Sequence, residues 1–432
     1  MIGRQALEQV DLEALETAVR RSALRLAARA VEQHLNQDRS DHAGVELPCS
    51  CGRMARYVDR RSKTFESVLG PLELERAYYH CAACQHGFFP RDGHLGLEKF
   101  SLSPAVTRMI GSTAAVVSFT EGSQLLEELA GVHVDAKQVE RVAEALGAEI
   151  AADEKQDLNP GLAPDLPSTL YLGIDGTGVP MRPSEVQGRA GKQADGSAKT
   201  REMKLCTVWS AESRNAEGRP IRDPGSITYT AAIETAAAAD TDRVPAEFAQ
   251  RVLREATRRR FAAVERQVVI GDGAPWIWNI AKELFPRAVQ IVDKFHVKEH
   301  LSQLAKNLYA DAEQAQAWAE RRQEELDSGR FSDLLRAVRR HADRDAEARK
   351  CFQYLHRNRE RMNYTKFEAQ GLCTGSGVVE AGCRGVIGTR LKRSGMRWSV
   401  RGANAIAALR CSKISGRFQD FWERRAELRK AA

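Results

Sequence analysis

The sequence predicts an α+β multidomain chain: a mixed sheet carrying a helical insertion, preceded by a cysteine-bearing hairpin and a small helical module. Three observations predict it. Apolar spacing changes near residue 168 from helical steps of three and four to short unbroken runs of strand length. Two cysteine pairs flank a strand–turn–strand pattern. A stretch with helical signals only, 297–370, separates the last strand-like run from a basic C-terminal region. A length of 432 residues suggests two to four domains at roughly 150 residues each. Apolar residues at 43% and charged residues at 28% fit a water-soluble globular chain. No run reaches the roughly 18 apolar residues of a membrane span. The opening MIGRQALEQVDLEALETAV reads as helix, not as a secretion signal. A cytoplasmic protein without membrane association is expected.

Residues 1–46 read as an N-terminal helix, with Leu12, Leu15, Val19, Ala23 and Leu26 at helical spacing. Residues 47–95 hold Cys49-Ser-Cys51, 29 intervening residues, and Cys81-Ala-Ala-Cys84. The segment between reads as strand, Gly70-Pro71 turn, strand. Four thiolates on two knuckles joined by a hairpin make a closed tetrahedral site for one structural Zn²⁺, a zinc-ribbon-like domain. The first knuckle is one residue short, and His42, His80 or His86 could replace a sulfur. The other five cysteines are scattered, and an odd count of nine argues against a disulfide framework.

Residues 96–151 carry three helix starts. Ser103-Pro104 sets an N-cap followed by Pro. Ser118-Phe-Thr-Glu121 and Asp135-Ala-Lys-Gln138 have capping-box spacing. Two capped helices joined through Gly131 read as a helix-turn-helix-like DNA-binding domain, offering Lys137, Gln138 and Arg141 to DNA. Residues 152–168, with Pro160, Gly161, Pro164 and Pro167, read as a linker.

Residues 169–296 give three strand-like runs, a helix through Val244, Phe248, Val252 and Ala256, then alternating strand and helix. That order is the one of a ribonuclease-H-like mixed sheet. Asp175 and Asp272 each close an apolar run and precede a glycine, the place where open α/β sheets bind ligands. The glycines would let a phosphodiester approach the backbone. Beyond the insertion (297–370), residues 371–432 carry Ser376 as a helix N-cap, Glu380 near the helix start and Arg384 one turn on. The chain has 65 Lys and Arg against 58 Asp and Glu, but from Arg384 onward the balance is 13 against 3. A basic C-terminal region on a near-neutral body is the footprint of a polyanion binder. Arg384, Lys392, Arg393 and Arg397 are candidate phosphate contacts. Trp398, and less so Trp276 and Trp278, are candidates for stacking on bases.

The segments YLGIDGTGVPM, GDGAPWIWN, IVDKFHVKEHL and GSGVVEAGCRGVIGTRLKRSGMRWSVRGANAIAALR resemble DDE transposases of bacterial insertion sequences, the ISKra-type group related to Mutator-like elements. The resemblance implies that Asp175, Asp272 and Glu380 are the catalytic carboxylates. It also implies that Asp293 and His296 are an Asp-x-x-His element, and that 297–370 is the helical insertion between last strand and Glu helix. His296 could orient a carboxylate or contact the scissile phosphate; equally it fits a satisfied histidine at a strand end. Three carboxylates suit two Mg²⁺ or Mn²⁺ ions, which would sit about 3.5–4 Å apart in a two-metal site. The implied activity is cleavage at an element's ends and transfer of the freed 3′-hydroxyl to target DNA. The implied partners are terminal inverted repeats, target DNA and a second copy of the chain, in association with the nucleoid.

Two other readings compete. His341-Ala-Asp-Arg344 followed by Tyr354 and Tyr364 matches the spacing of a tyrosine recombinase. A zinc-ribbon and helix-turn-helix DNA-binding regulator, derived from a transposase but not catalytic, is the non-enzyme alternative.

Overall fold

The computed structural model describes residues 11–97, 99–156, 165–236 and 245–431. The first ten residues, linker residues 157–164 and Val244 of the expected helix lie outside them. The described chain is a mixed α+β structure with two sheets and many helices. It divides into two compact units, 1–146 with 419–432, and 147–418. The division falls inside one helix, Ala136–Gln156, rather than at the Pro-rich linker.

In the first unit, α1 (Leu12–Gln37) precedes a sheet ordered β1 (Glu46–Pro48), β2 (Met54–Ser67), β3 (Gly70–Cys81), β4 (His86–Phe88), all antiparallel. The turn between β2 and β3 uses Val68 and Leu69, and Gly70-Pro71 already pairs with β2. The face of α1 that meets the sheet is not the expected apolar stripe. Leu12, Val19 and Leu26 stay exposed, Leu26 by 72%, while Ala28 is buried. Hydrogen bonds choose the face: Glu32 and Asn36 accept from the amides of Glu73 and Glu75, and Asn36 donates to the Glu73 carbonyl. These bonds satisfy backbone groups of β3 that would otherwise lie at an open sheet edge. Asp41, buried at 4%, collects Arg60, Arg91 and the Ala77 amide.

Short α2 (Pro90–Leu95) leads to α3 (Pro104–Ala114), capped by the Ser103 hydroxyl with Pro104 at its first position. Next, α4 (Phe119–Leu125) has the reciprocal Ser118–Glu121 capping box, and its π-helical continuation stops at Gly131, φ 70°. Asp135 accepts from the Gln138 amide at the start of α5 (Ala136–Gln156).

The second unit is built on a five-stranded sheet ordered β7-β6-β5-β8-β9, with β5 Thr169–Pro180, β6 Thr200–Ser210, β7 Thr228–Ala232, β8 Arg266–Gly271 and β9 Val289–Val292. Strand β6 is antiparallel to β5 and β7; β8 is parallel to β5 and β9. A short α6 (Pro183–Val186) follows β5, α7 (Glu247–Arg258) follows β7, and α8 (Pro275–Leu284) links β8 to β9. Phe248, Val252 and Ala256 of α7 are buried, as their spacing predicts.

The expected insertion is helical throughout: α9 (Lys294–Leu308), α10 (Ala312–Asp327), α11 (Phe331–Ala342), α12 (Ala346–Asn358) and α13 (Tyr364–Ala369). It is not an appendage. Leu334, Val338, Leu355 and Tyr364 share one apolar core with Leu172, Val269 and Ile291 of the sheet, and the Tyr364 phenol donates to the Val292 carbonyl at 2.9 Å. The chain then forms α14 (Gly377–Gly382), a π-helical run Cys383–Gly388, one turn of α15 (Thr389–Leu391), α16 (Val400–Ile414) and α17 (Phe418–Ala431). Glu255, fully buried, binds Arg417 and Arg258, and Arg417 also reaches Glu154.

Candidate active site

The parallel ladder between β5 and β8 ends at the pair Ile174 and Gly271, so Asp175 and Asp272 are the next residues on two adjacent strands. Asp272 lies just past its strand, as its apolar run predicts. Asp175 does not end β5. The strand continues to Pro180 because β6 pairs along its whole length, Asp175 opposite Leu205. Asp175 thus marks the end of the parallel ladder only. Its carboxylate accepts from the Gly176 amide at 2.6 Å and from the Cys383 thiol at 3.3 Å. Burial pushes its pKa up, and the charge of Asp272 adds to the rise; these outweigh the two hydrogen bonds and His296. Asp272 accepts from the Ala274 amide at 2.8 Å.

Glu380 is exposed on α14. That helix is seated by Gly173 of β5, where an added Cβ would lie 2.1 Å from Cγ2 of Val379. Ser376 does not cap the helix. Its hydroxyl donates to the Asp293 carboxylate, which also accepts from the Phe295 amide at 2.8 Å and is buried at 1%. The Ser376 backbone, φ −92° and ψ 18°, is not the extended conformation of a cap residue, so its hydroxyl is not presented to the free amides of the helix and donates to the buried carboxylate. Asp293 therefore joins the start of α9 to the start of α14. Among the described residues, none of Asp175, Asp272 and Glu380 pairs with a Lys or Arg in an ion pair. Their oxygens do not all lie within 4.8 Å of one another, a condition the four thiols alone meet.

The two glycines do not leave the room expected of them. The Cβ position of Gly176 is filled by the Glu202 side chain, and that of Gly273 by the Tyr354 ring. Gly273 has φ +96°, which favours glycine for a second reason. The Tyr354 phenol donates to the main-chain carbonyl of Asp272 at 2.9 Å.

His296 is half-buried, its ring 4.7 Å from that of His300 one turn along α9 and its Nδ1 3.7 Å from Glu299. Sequence reasoning missed His300, although the i,i+4 spacing from His296 was visible. It missed Tyr354 as a neighbour of Asp272, for which 82 residues of separation give no signal. The recombinase constellation is not assembled. Tyr364 is buried at 1% with its phenol engaged, and His341 packs near Tyr309 and Trp318.

The basic candidates separate. Lys392, Arg393 and Arg397 line a groove of about 920 Å³ whose other side includes Met181, Gln187 and Lys199. Lys392 also touches the Thr177 hydroxyl. Arg384 is exposed. Trp398 is corrected from a base-stacking to a packing residue: it is 5% exposed, donates its indole N–H to the Leu391 carbonyl and lies beneath Arg390. Trp278 is buried and Trp276 packs against Phe248. In the first unit, Lys137 and Arg141 are exposed one turn apart on α5, Lys137 paired with Glu140, and Gln138 is half-buried.

Cys49, Cys51, Cys81 and Cys84 bring their sulfurs within 4.8 Å of one another without any histidine. The Cys84 amide draws the Cys81 thiol down to about 7. At Cys84 the His86 amide lowers the pKa, but the neighbouring thiols push it up to about 12.

A family model described as Uncharacterised protein family (UPF0236) matches residues 250–427, a span holding Asp272, His296 and Glu380 but neither Asp175 nor the four clustered cysteines at 49, 51, 81 and 84. No curated protein matches the chain. Among solved structures, the Drosophila P element transposase strand transfer complex is similar over 78% of this chain and 84% of that one, at 11% identity and a TM-score of 0.26.

Proposed function

We propose that this chain is a DDE transposase of an insertion sequence, with Asp175, Asp272 and Glu380 as its catalytic carboxylates on a ribonuclease-H-like sheet. One observation carries the reading: two acids follow the last pair of the parallel β5–β8 ladder, with the Glu380 helix packed on β5, and among the described residues none of the three has an ion pair with Lys or Arg. Acids kept apart from Lys and Arg while one of them is desolvated are costly to stability. Such a cost is ordinary where a functional site needs it.

The donor set fits hard divalent cations. All three groups offer oxygen, and the burial that raises the Asp175 pKa would be offset by a bound cation. Asp175, Asp272 and Glu380 would hold Mg²⁺ or Mn²⁺. Such ions lower the pKa of attacking water or a 3′-hydroxyl and stabilise the leaving oxygen. The protein's own part is placement. Gly176 and Cys383 orient Asp175, Tyr354 and Ala274 fix the turn bearing Asp272, and Val379 in the Gly173 recess sets the approach of Glu380. Lys392, Arg393 and Arg397 would bind phosphates along their groove, and Lys137, Gln138 and Arg141 the element's terminal repeat. His296, whose charge opposes the rise of the Asp175 pKa, would act on that acid through space or contact the scissile phosphate. The four thiolates would hold one structural Zn²⁺ in a ribbon-like site, and the resemblance implies a dimer on DNA.

Purified protein should nick or join oligonucleotides bearing its own element's ends in Mg²⁺ or Mn²⁺. D175N and E380Q should bind those ends and cleave nothing. Cleavage by both variants at the wild-type rate would refute the assignment. DNA binding without cleavage by any form would instead favour the regulator reading.

A further inference from the structure

Beside Asp272 the structure holds a cavity of about 330 Å³ between α9 and α12. Its floor is the segment Asp272–Pro275, and its walls are His296 and His300 from α9 with Lys350, Gln353, Tyr354 and Arg357 from α12. We propose that this cavity binds one unpaired nucleotide of the DNA strand next to the phosphodiester at Asp272, its base against Tyr354 and His300 and its phosphate on Arg357 and Lys350. The proposal rests on the reading of Asp272 as a catalytic carboxylate, and it gives the helical insertion a part in binding substrate.

Three features support it. The first is a cluster of three aromatic rings: His296 stands edge-on to His300 at 4.7 Å and 87°, and His300 is tilted 43° to Tyr354 at 4.8 Å, so a base would lie on the face of one ring at a time. Flat π-faces accept any base, at roughly 1–3 kcal/mol per stacked base. The second is preorganisation. Tyr354 is fixed at both ends, its phenol on the Asp272 carbonyl and its ring in the space that Gly273 leaves free. It orders without further entropic cost when a ligand arrives. The third is charge. Arg357 has no carboxylate partner among the described residues, and Lys350 pairs only with Glu347, one turn back on an exposed face where such pairs are weak. Among the residues that line the cavity, two cations stand against the single acid Asp272, which favours an anion. Size then selects the ligand. The volume is near the lower bound of ligand pockets, about 300 Å³, room for one nucleotide and not for a base pair. Gln353 adds an amide able to donate to and accept from a base edge.

The test uses the full chain without divalent cation, so that binding is read apart from cleavage. A fluorescent single-stranded oligonucleotide carrying 5-iododeoxyuridine is titrated, irradiated and mapped by peptide mass spectrometry. Crosslinks are expected at Tyr354 or His300, and binding by K350A/R357A should weaken at least about tenfold, since each of the two charge-assisted hydrogen bonds lost is worth roughly tenfold or more. Both residues are exposed, so the variant should melt as the wild type does. Crosslinks confined to the Lys392–Arg397 groove or elsewhere, with K350A/R357A binding as tightly as wild type, would overturn the proposal. Y354F keeps the ring and should retain the crosslink at His300, while Y354A should lose it. Crosslinks at Tyr354 from a wild-type protein that cleaves nothing in Mn²⁺ would uphold the nucleotide site and sink the DDE reading. Cleavage without crosslinks would do the reverse.

Discussion

At the scale of single residues, the site stores strain that substitutions should release or expose. Asp175 is a partly desolvated acid with a second acid beside it, and among the described residues neither acid has an ion pair with Lys or Arg, so that His296 and two hydrogen bonds offset only part of the burial. D175N should therefore stabilise the metal-free protein, by about 0.5–2 kcal/mol, while abolishing cleavage. Thermal melting in a chelator checks this; a lower Tm would show that the carboxylate is a structural anchor instead. Gly173 makes the opposite case. G173A puts a methyl into the space of Val379 and should cost about 1–3 kcal/mol. Because Val379 adjoins Glu380, activity should fall further than stability explains, with DNA affinity unchanged. The acids at 175 and 272 were legible in the sequence because each closes an apolar run and precedes glycine. What those glycines accommodate was not, since Glu202 and Tyr354 reach them only through folding.

At the scale of elements, the capped helices show where local sequence suffices. Ser103, Ser118 and Asp135 each make the amide bond that their spacing predicts, because a cap is decided within four residues. The face of α1 is decided elsewhere, by hydrogen bonds to β3, and its apolar spacing misleads. Ser376 does not cap because its backbone departs from the extended cap conformation, and its hydroxyl meets a carboxylate 83 residues away in sequence. Charged elements carry a pH signature. Burial would raise the Glu255 pKa, but Arg417 and Arg258 hold it below the ordinary glutamate value in the folded state. Its contribution is thus present above the unfolded-state pKa and is lost as pH falls through the folded one. E255Q should remove one of the two acidic partners of half-buried Arg417, Glu154 remaining, and cost about 1–3 kcal/mol at neutral pH. Denaturant melts at pH 7 and pH 4 should show the gap between wild type and variant narrowing in acid. A constant gap would mean that packing, not charge, is what the substitution removes.

At the scale of the whole molecule, the element order of the second unit was readable because strands alternating with helices leave few arrangements. The integration of the insertion into the core was not, because its helices look amphipathic and self-contained. For the first unit, the proposed Zn²⁺ predicts about one zinc per chain by elemental analysis. Chelation should collapse β1–β4 as judged by hydrogen exchange, since metal binding by such sites is folding energy. A zinc-free protein with unchanged protection would refute it. For DNA binding, replacing Lys392 or Arg393 should lower affinity alike for all sequences and reduce the salt slope by about one each.

The insertion leaves the sheet at Asp293 and comes back at Ser376, and those two residues are bonded to each other, with the Lys294 amide also donating to the Thr374 carbonyl at 2.9 Å. More than eighty residues thus form a loop whose neck is stitched shut. A neck of this kind insulates what lies after it. Lengthening or trimming the bend at Asp343–Arg344 would alter reach and partner contacts there while Glu380 stays in register with the strands, whereas the bend at Ser328–Gly329 follows Asp327, which is paired with Lys294 at the neck. Kindred chains could differ widely in this segment and still share one chemistry.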